Sequence, residues 1–151
     1  MIRVQEQDFD VGAELDALVA GNANAGGVAS FVGHVRDVND GDAVSAITLE
    51  HYPGMTERKL EEIEQEALDR WPLEATLIIH RYGRLEPGDR IVLVAAASAH
   101  RQAAFDAAMF LMDWLKTKAP FWKLEATSEG ERWVAARASD DTAAEKWSNK
   151  K

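Results

Sequence analysis

Two hydrophobic periods alternate along the chain, and each change of period marks a new element. After Asp10, a natural cap, Val11, Leu15, Leu18 and Val19 recur at helical spacing and predict a short first helix. GNANAGG reads as a loop. Residues 28–35 are mixed apolar and β-branched and predict a strand. RDVNDGD is a polar turn, and residues 43–52 predict a second strand with Ile47 and Leu49 on one side. Pro53 and Gly54 break that strand. Thr56 can cap the following helix, which runs to about Arg70 with Leu60, Ile63, Ala67, Leu68 and Trp71 at helical spacing.

Pro72 ends that helix. Residues 75–82 and 90–97 predict two strands joined through Pro87-Gly88. Ser98 is the natural cap of a long helix to about Lys118, with Ala103, Ala107, Phe110, Leu111 and Trp114 as its apolar stripe. Pro120 stops it. Residues 121–126 alternate and predict a strand, 133–137 predict another, and Ser139 can cap a last short helix over 140–147. Strands adjacent in pairs, interleaved with helices, predict an α+β fold with a largely antiparallel sheet. No repeat or linker interrupts the pattern, so one domain is expected over residues 1–151, with a disordered tail after about residue 147.

Composition narrows the function more than the fold. No apolar run approaches the roughly 18 residues that span a membrane, and MIRVQEQDFD has no signal-peptide core, so the cytoplasm is expected. The formal net charge of −9 disfavours nucleic acid and anionic membranes as partners. The chain has no cysteine, which excludes disulfides, thiolate metal sites and a cysteine nucleophile. RDVNDGD mimics a calcium loop, but counted from Asp37 it puts Gly41 before Asp42, and Thr48 stands where the closing Glu belongs. His34, His51, His80 and His100 have no zinc spacing, and no metal is expected.

Between Ser98 and Lys123 lies the segment where chemistry could sit. His100 and Arg101 open the long helix, whose free N–H groups and positive dipole end suit a phosphate; a capped helix with solvated basic side chains accounts for them as well. Lys116 and Lys123 flank TKAPFW. Two amines in one desolvated pocket would repel and tune each other for proton transfer or for holding an anion, whereas apart they would be a helix-end lysine and a strand-edge lysine. Arg36 follows the first of these strands at a turn. Phe110, Trp114, Phe121 and Trp122 read as core, and His51 and His80 as satisfied structural histidines.

FVGHVRD (31–37), LEHYPGMTE (49–57), IHRYGRLEPGD (79–89), SAHR (98–101), KTKAPFWK (116–123) and EGERWVAAR (129–137) occur in the order found in the large subunits of molybdopterin synthases, and the chain resembles that family from about Gly26 to Arg137. The resemblance implies an α/β hammerhead-type fold with an added antiparallel portion. It implies a central dimer of this chain with a small ubiquitin-like sulfur-carrier subunit at each end. That subunit's C-terminal Gly-Gly carries a thiocarboxylate, the substrate is cyclic pyranopterin monophosphate, and the product is the dithiolene. The partner supplies the sulfur, so no cofactor is implied. By the same resemblance Lys116 and Lys123 are catalytic, and Arg36, His100, Arg101 and Arg137 bind substrate, one arginine or histidine coming from the other copy. A non-catalytic dock for the partner's tail is the alternative.

Overall fold

The computed structural model describes residues 1–39, 41–134 and 138–148. In chain order the elements are β1 (Ile2–Gln5), α1 (Val11–Val19), β2 (Gly27–His34), β3 (Val38–Asn39), β4 (Asp42–His51), α2 (Met55–Arg70), β5 (Leu73–Arg81), β6 (Gly83–Leu85), β7 (Arg90–Ser98), α3 (Arg101–Lys118), β8 (Phe121–Thr127), β9 (Gly130–Val134) and α4 (Ala138–Glu145). They build two sheets. The first has the order β1-β5-β7-β2, and only its β1–β5 pair is parallel. The second has the order β3-β4-β8-β9, with β6 paired to β4, and every pair is antiparallel. The α+β, largely antiparallel expectation holds.

β5 and β7 explain the first sheet. Their apolar runs are nearly unbroken because both faces are covered. Ile78, Val92 and Val94 point to one face, where they pack with Leu60 and Ile63 of α2 and Phe110, Leu111 and Leu115 of α3. Leu77, Ile79, Leu93 and Ala95 point to the other and meet Phe9 and α1. Phe110 is fully buried, and truncating it to alanine would cost roughly 3–5 kcal/mol. Where α3 begins, the contact is alanine on alanine: Ala104, Ala107 and Ala108 against Ala29 and Ala96. The second sheet has its own small core of Val35, Val44, Ile47, Leu49 and Leu85.

Caps show where local and tertiary demands diverge. Asp10 caps α1 as expected, its carboxylate accepting the Ala13 N–H at 2.9 Å. Thr56 does not cap α2. Gly54 takes that position at φ +84°, a conformation open to glycine, and Glu57 accepts the Gly54 N–H. Thr56 is buried instead; its hydroxyl donates to the Tyr52 carbonyl at 2.8 Å. Ser98 likewise does not cap α3, because its buried hydroxyl donates to the Pro72 carbonyl at 2.8 Å, and His100 becomes the residue before the helix.

Other boundaries shift for equally physical reasons. RDVNDGD is no plain turn, since Val38 and Asn39 pair back onto Ala43 and Asp42 as a short hairpin. β6 intervenes between β5 and β7 and pairs with the second sheet, so the two strands are not joined through Pro87-Gly88 alone. The buried stripe of α3 carries Ala104 and Leu115, with Ala103 and Trp114 only half-buried. The strand expected over 133–137 begins earlier, at Gly130, because Thr127 and Gly130 close a tight hairpin. α4 starts at Ala138, ahead of Ser139, whose side chain lies outside the described residues, as do Arg137 and the tail from residue 149.

Candidate functional site

β8 alternates strictly, and that alternation builds a wall. Phe121, Lys123 and Glu125 share one face, opposite His51, Leu49 and Ile47 of β4. α3 ends directly before this strand and places Lys116 in its last turn. β2 runs out at His34 on the far side, followed by Arg36. These elements enclose a cleft of about 560 Å³, within the range of small-molecule sites. Lys116, Lys123 and Arg36 all line it, together with Phe31, His80 and Glu125.

Each cation meets a different environment. Lys116 is exposed at the cleft edge. Lys123 is half-buried, with its ammonium 3.8 Å from a Glu125 carboxylate oxygen. Glu125 is only 2% exposed, and its other oxygen accepts from Arg132 Nε at 3.2 Å. A carboxylate this deep is tolerable because two cations flank it. The lysines are therefore not an isolated repelling pair, since Glu125 answers the inner one.

Aromatic groups form the inner end. Phe121 stacks on His80 with ring centroids 3.7 Å apart and planes within 16°. His80 Nδ1 lies 2.7 Å from the Arg81 carbonyl, which can only accept, so Nδ1 carries the proton and Nε2 the lone pair. Burial is the main cause that pushes the His80 pKa down to about 4; the Lys116 ammonium and His51 push the same way, against the Arg81 hydrogen bond. His80 is thus neutral in the cleft at physiological pH. The His51 ring lies 6.0 Å from that of Phe121 and meets the Thr56 hydroxyl through Nδ1 at 3.1 Å.

The sequence had read both rings of the APFW segment as core. Phe121 is a cleft wall, and Trp122 is 37% exposed and packs edge-on against Tyr52 at 4.4 Å. Phe110 is core, as expected. His80, read as a purely structural histidine, is a cleft residue, and Glu125 was not singled out at all. The alternation of FWKLEA was the available signal for Glu125.

His100 and Arg101 are exposed and do not line this cleft. Arg101 precedes Lys116 by fifteen helical residues, which is about 22 Å along the axis at 1.5 Å per residue. Within one chain the structure brings together Lys116, Lys123 and Arg36 and leaves His100 and Arg101 at the far end of α3. Among the described residues no His, Cys, Asp and Glu cluster could hold a metal ion. Nor is any helix among them long and apolar enough to cross a membrane.

Comparison with known proteins identifies the family. The family model described as MoaE protein matches residues 4–118. The chain is 61% identical over 146 residues to the molybdopterin synthase catalytic subunit of Pseudomonas aeruginosa, covering 97% of both chains. Among solved structures it superposes on the molybdopterin biosynthesis MoaE protein of Burkholderia ambifaria with a TM-score of 0.84 and 54% identity, over 97% of each chain. It also matches the crystal structure of molybdopterin synthase from Staphylococcus aureus, with a TM-score of 0.82 and 31% identity over 88% of this chain and 96% of that one. The chain belongs to the MoaE family, that of the molybdopterin synthase catalytic subunits.

Proposed function

We propose that this chain catalyses sulfur transfer to a pterin. It takes sulfur from the thiocarboxylated Gly-Gly end of a small ubiquitin-like partner and delivers it to cyclic pyranopterin monophosphate, building the dithiolene of molybdopterin. The observation that carries this reading is the convergence of Lys116, Lys123 and Arg36, from three separate elements, on one cleft of about 560 Å³ in a chain without cysteine. A cleft of this kind suits an anionic substrate and an anionic tail, and the sulfur has to arrive from outside.

The roles follow from the environments. Lys116, exposed at the edge, is placed to meet the incoming tail and to hold the oxyanion or acyl group that develops there. Lys123, half-buried and held by Glu125, is placed for acid–base work on the pterin. Arg36 binds substrate phosphate. His100 and Arg101 contribute from a second copy of this chain, because their own copy's cleft lies about 22 Å away along α3. Arg137 joins the substrate contacts by family motif. The partner's thiocarboxylate is the only sulfur source, no metal or nucleotide takes part, and the reaction is cytoplasmic.

A turnover assay tests this. The chain is mixed with cyclic pyranopterin monophosphate and a thiocarboxylated small subunit, and dithiolene formation is followed. Product from the unaltered chain, lost in Lys116→Ala, supports the reading. Tight binding of the small subunit with no product identifies the chain as a docking module instead.

A further inference from the structure

His80 has more order than a packing histidine needs. One ring nitrogen is tied to the Arg81 carbonyl at 2.7 Å, and one ring face is covered by Phe121 at 3.7 Å. Those two contacts fix both the tautomer and the plane of the ring. The remaining nitrogen, Nε2, bears the lone pair, and on a ring held this rigidly it is a fixed acceptor. Yet His80, only 5% exposed, forms part of the wall of the same cleft that Lys116 edges.

The geometry points to His80 as a positioning residue for Lys116: its locked imidazole offers Nε2 as an acceptor that draws the Lys116 ammonium inward from the cleft edge, over the reacting centre. A lysine on four methylenes has many rotamers, and a fixed acceptor selects among them. The acceptor has to stay neutral to do this, because an imidazolium would repel the ammonium. Burial keeps it so. The titratable groups acting on His80 are Lys116 from α3 and His51 from β4, while Lys123 and Glu125 line the cleft from β8. The residues paired with it in the sheet, Val4 of β1 and Val92 of β7, carry no charge.

Two substitutions separate this role from packing. Both remove the ring and its stack on Phe121. In His80→Asn the amide reaches the Nδ1 position and can still donate to the Arg81 carbonyl, but no acceptor stands at Nε2. In His80→Gln an amide oxygen can reach the Nε2 position. The first readout is the order of the Lys116 side chain in the intact chain, followed by carbon relaxation NMR of labelled lysine and assigned with Lys116→Arg. That side chain is expected to become more mobile in His80→Asn and to keep its order in His80→Gln. The second readout is turnover with the thiocarboxylated partner, and it rests on the sulfur-transfer reading. There kcat is expected to drop about tenfold in His80→Asn with KM little changed, and to be largely kept in His80→Gln.

Identical Lys116 side-chain order in all three proteins overturns the proposal. So does an equal loss of kcat in both variants, which would make the ring a packing element, or a rise in KM alone, which would make Nε2 a substrate contact. If the unaltered chain makes no dithiolene, the sulfur-transfer reading fails while the order of Lys116 still decides the role of His80. Should His80→Asn not fold, Lys116 in His80→Gln compared with His80→Leu gives the same contrast.

Discussion

The two ends of α3 look alike in sequence and behave differently in the fold. Each carries two basic residues beside a conspicuous neighbour: His100 and Arg101 after Ser98, Lys116 and Lys118 before Pro120. At the C-terminal end a strand folds back, and Lys116 faces a cleft walled by Phe121, Lys123 and Glu125. At the N-terminal end His100 and Arg101 are exposed, outside that cleft. A helix terminus confers a dipole, but the tertiary neighbours decide whether a site is built there. Here the C-terminal end of α3 borders the cleft, and His100 and Arg101 at the other end do not line it.

Several measurements can sharpen or break that contrast. The largest effect is expected at the cleft end, where Lys116→Ala and Lys123→Ala should each lower dithiolene turnover about 100-fold or more, as for lost electrostatic or proton-transfer groups. Lys116→Ala should leave thermal stability almost unchanged, because its side chain is exposed. The N-terminal end is tested by mixing. If His100 and Arg101 serve the neighbouring copy, then Lys116→Ala and Arg101→Ala proteins, each inactive, should regain about a quarter of normal turnover when randomly reassociated as dimers. No recovery after demonstrated exchange would put Arg101 outside the site.

Smaller effects concern stability. Glu125→Gln leaves Lys123 and Arg132 without their shared carboxylate and should cost about 3 kcal/mol in urea denaturation, more than any substitution of an exposed acid. His80 makes the same end sensitive to acid. The unfolded chain takes up a proton at this histidine below about pH 6.5, which the folded chain refuses until about pH 4. Its contribution is full above pH 6.5 and is lost as pH falls through that window, so between pH 7 and pH 5 about 2 kcal/mol should disappear. Denaturation curves of His80→Gln should lack that part of the slope. The smallest effect belongs to the other end: Ser98→Ala, which orphans the Pro72 carbonyl, should cost about 1 kcal/mol and spare turnover.

What was legible in the sequence follows the range of the forces involved. The Asp10 cap was readable because donor and acceptor lie three residues apart. Thr56 and Ser98 have the same chemistry but are buried by partners that helix-start patterns do not register, the Tyr52 and Pro72 carbonyls. Lys116, Lys123 and Arg36 were recognisable because each lies within a distinctive segment, and the fold gathers them. His80 hid inside an apolar strand, where an isolated histidine looks like filler, and its stacking partner, Phe121, lies forty-one residues further on. The reach proposed for His100 and Arg101 into a neighbouring copy would be a property of no single chain.

The alanine bed under the start of α3 has one more consequence. Ala104, Ala107 and Ala108 rest on Ala29 and Ala96, whereas further along Phe110, Leu111 and Leu115 rest on Ile78, Val92 and Val94. Small side chains bring a helix nearer to its sheet and large ones hold it away. α3 thus rests on small side chains at its start and on large ones toward the end that borders the cleft. Added volume at the alanines has to push the start of the helix off the sheet. These plain positions do not line the cleft, yet they set the seat of the helix that borders it.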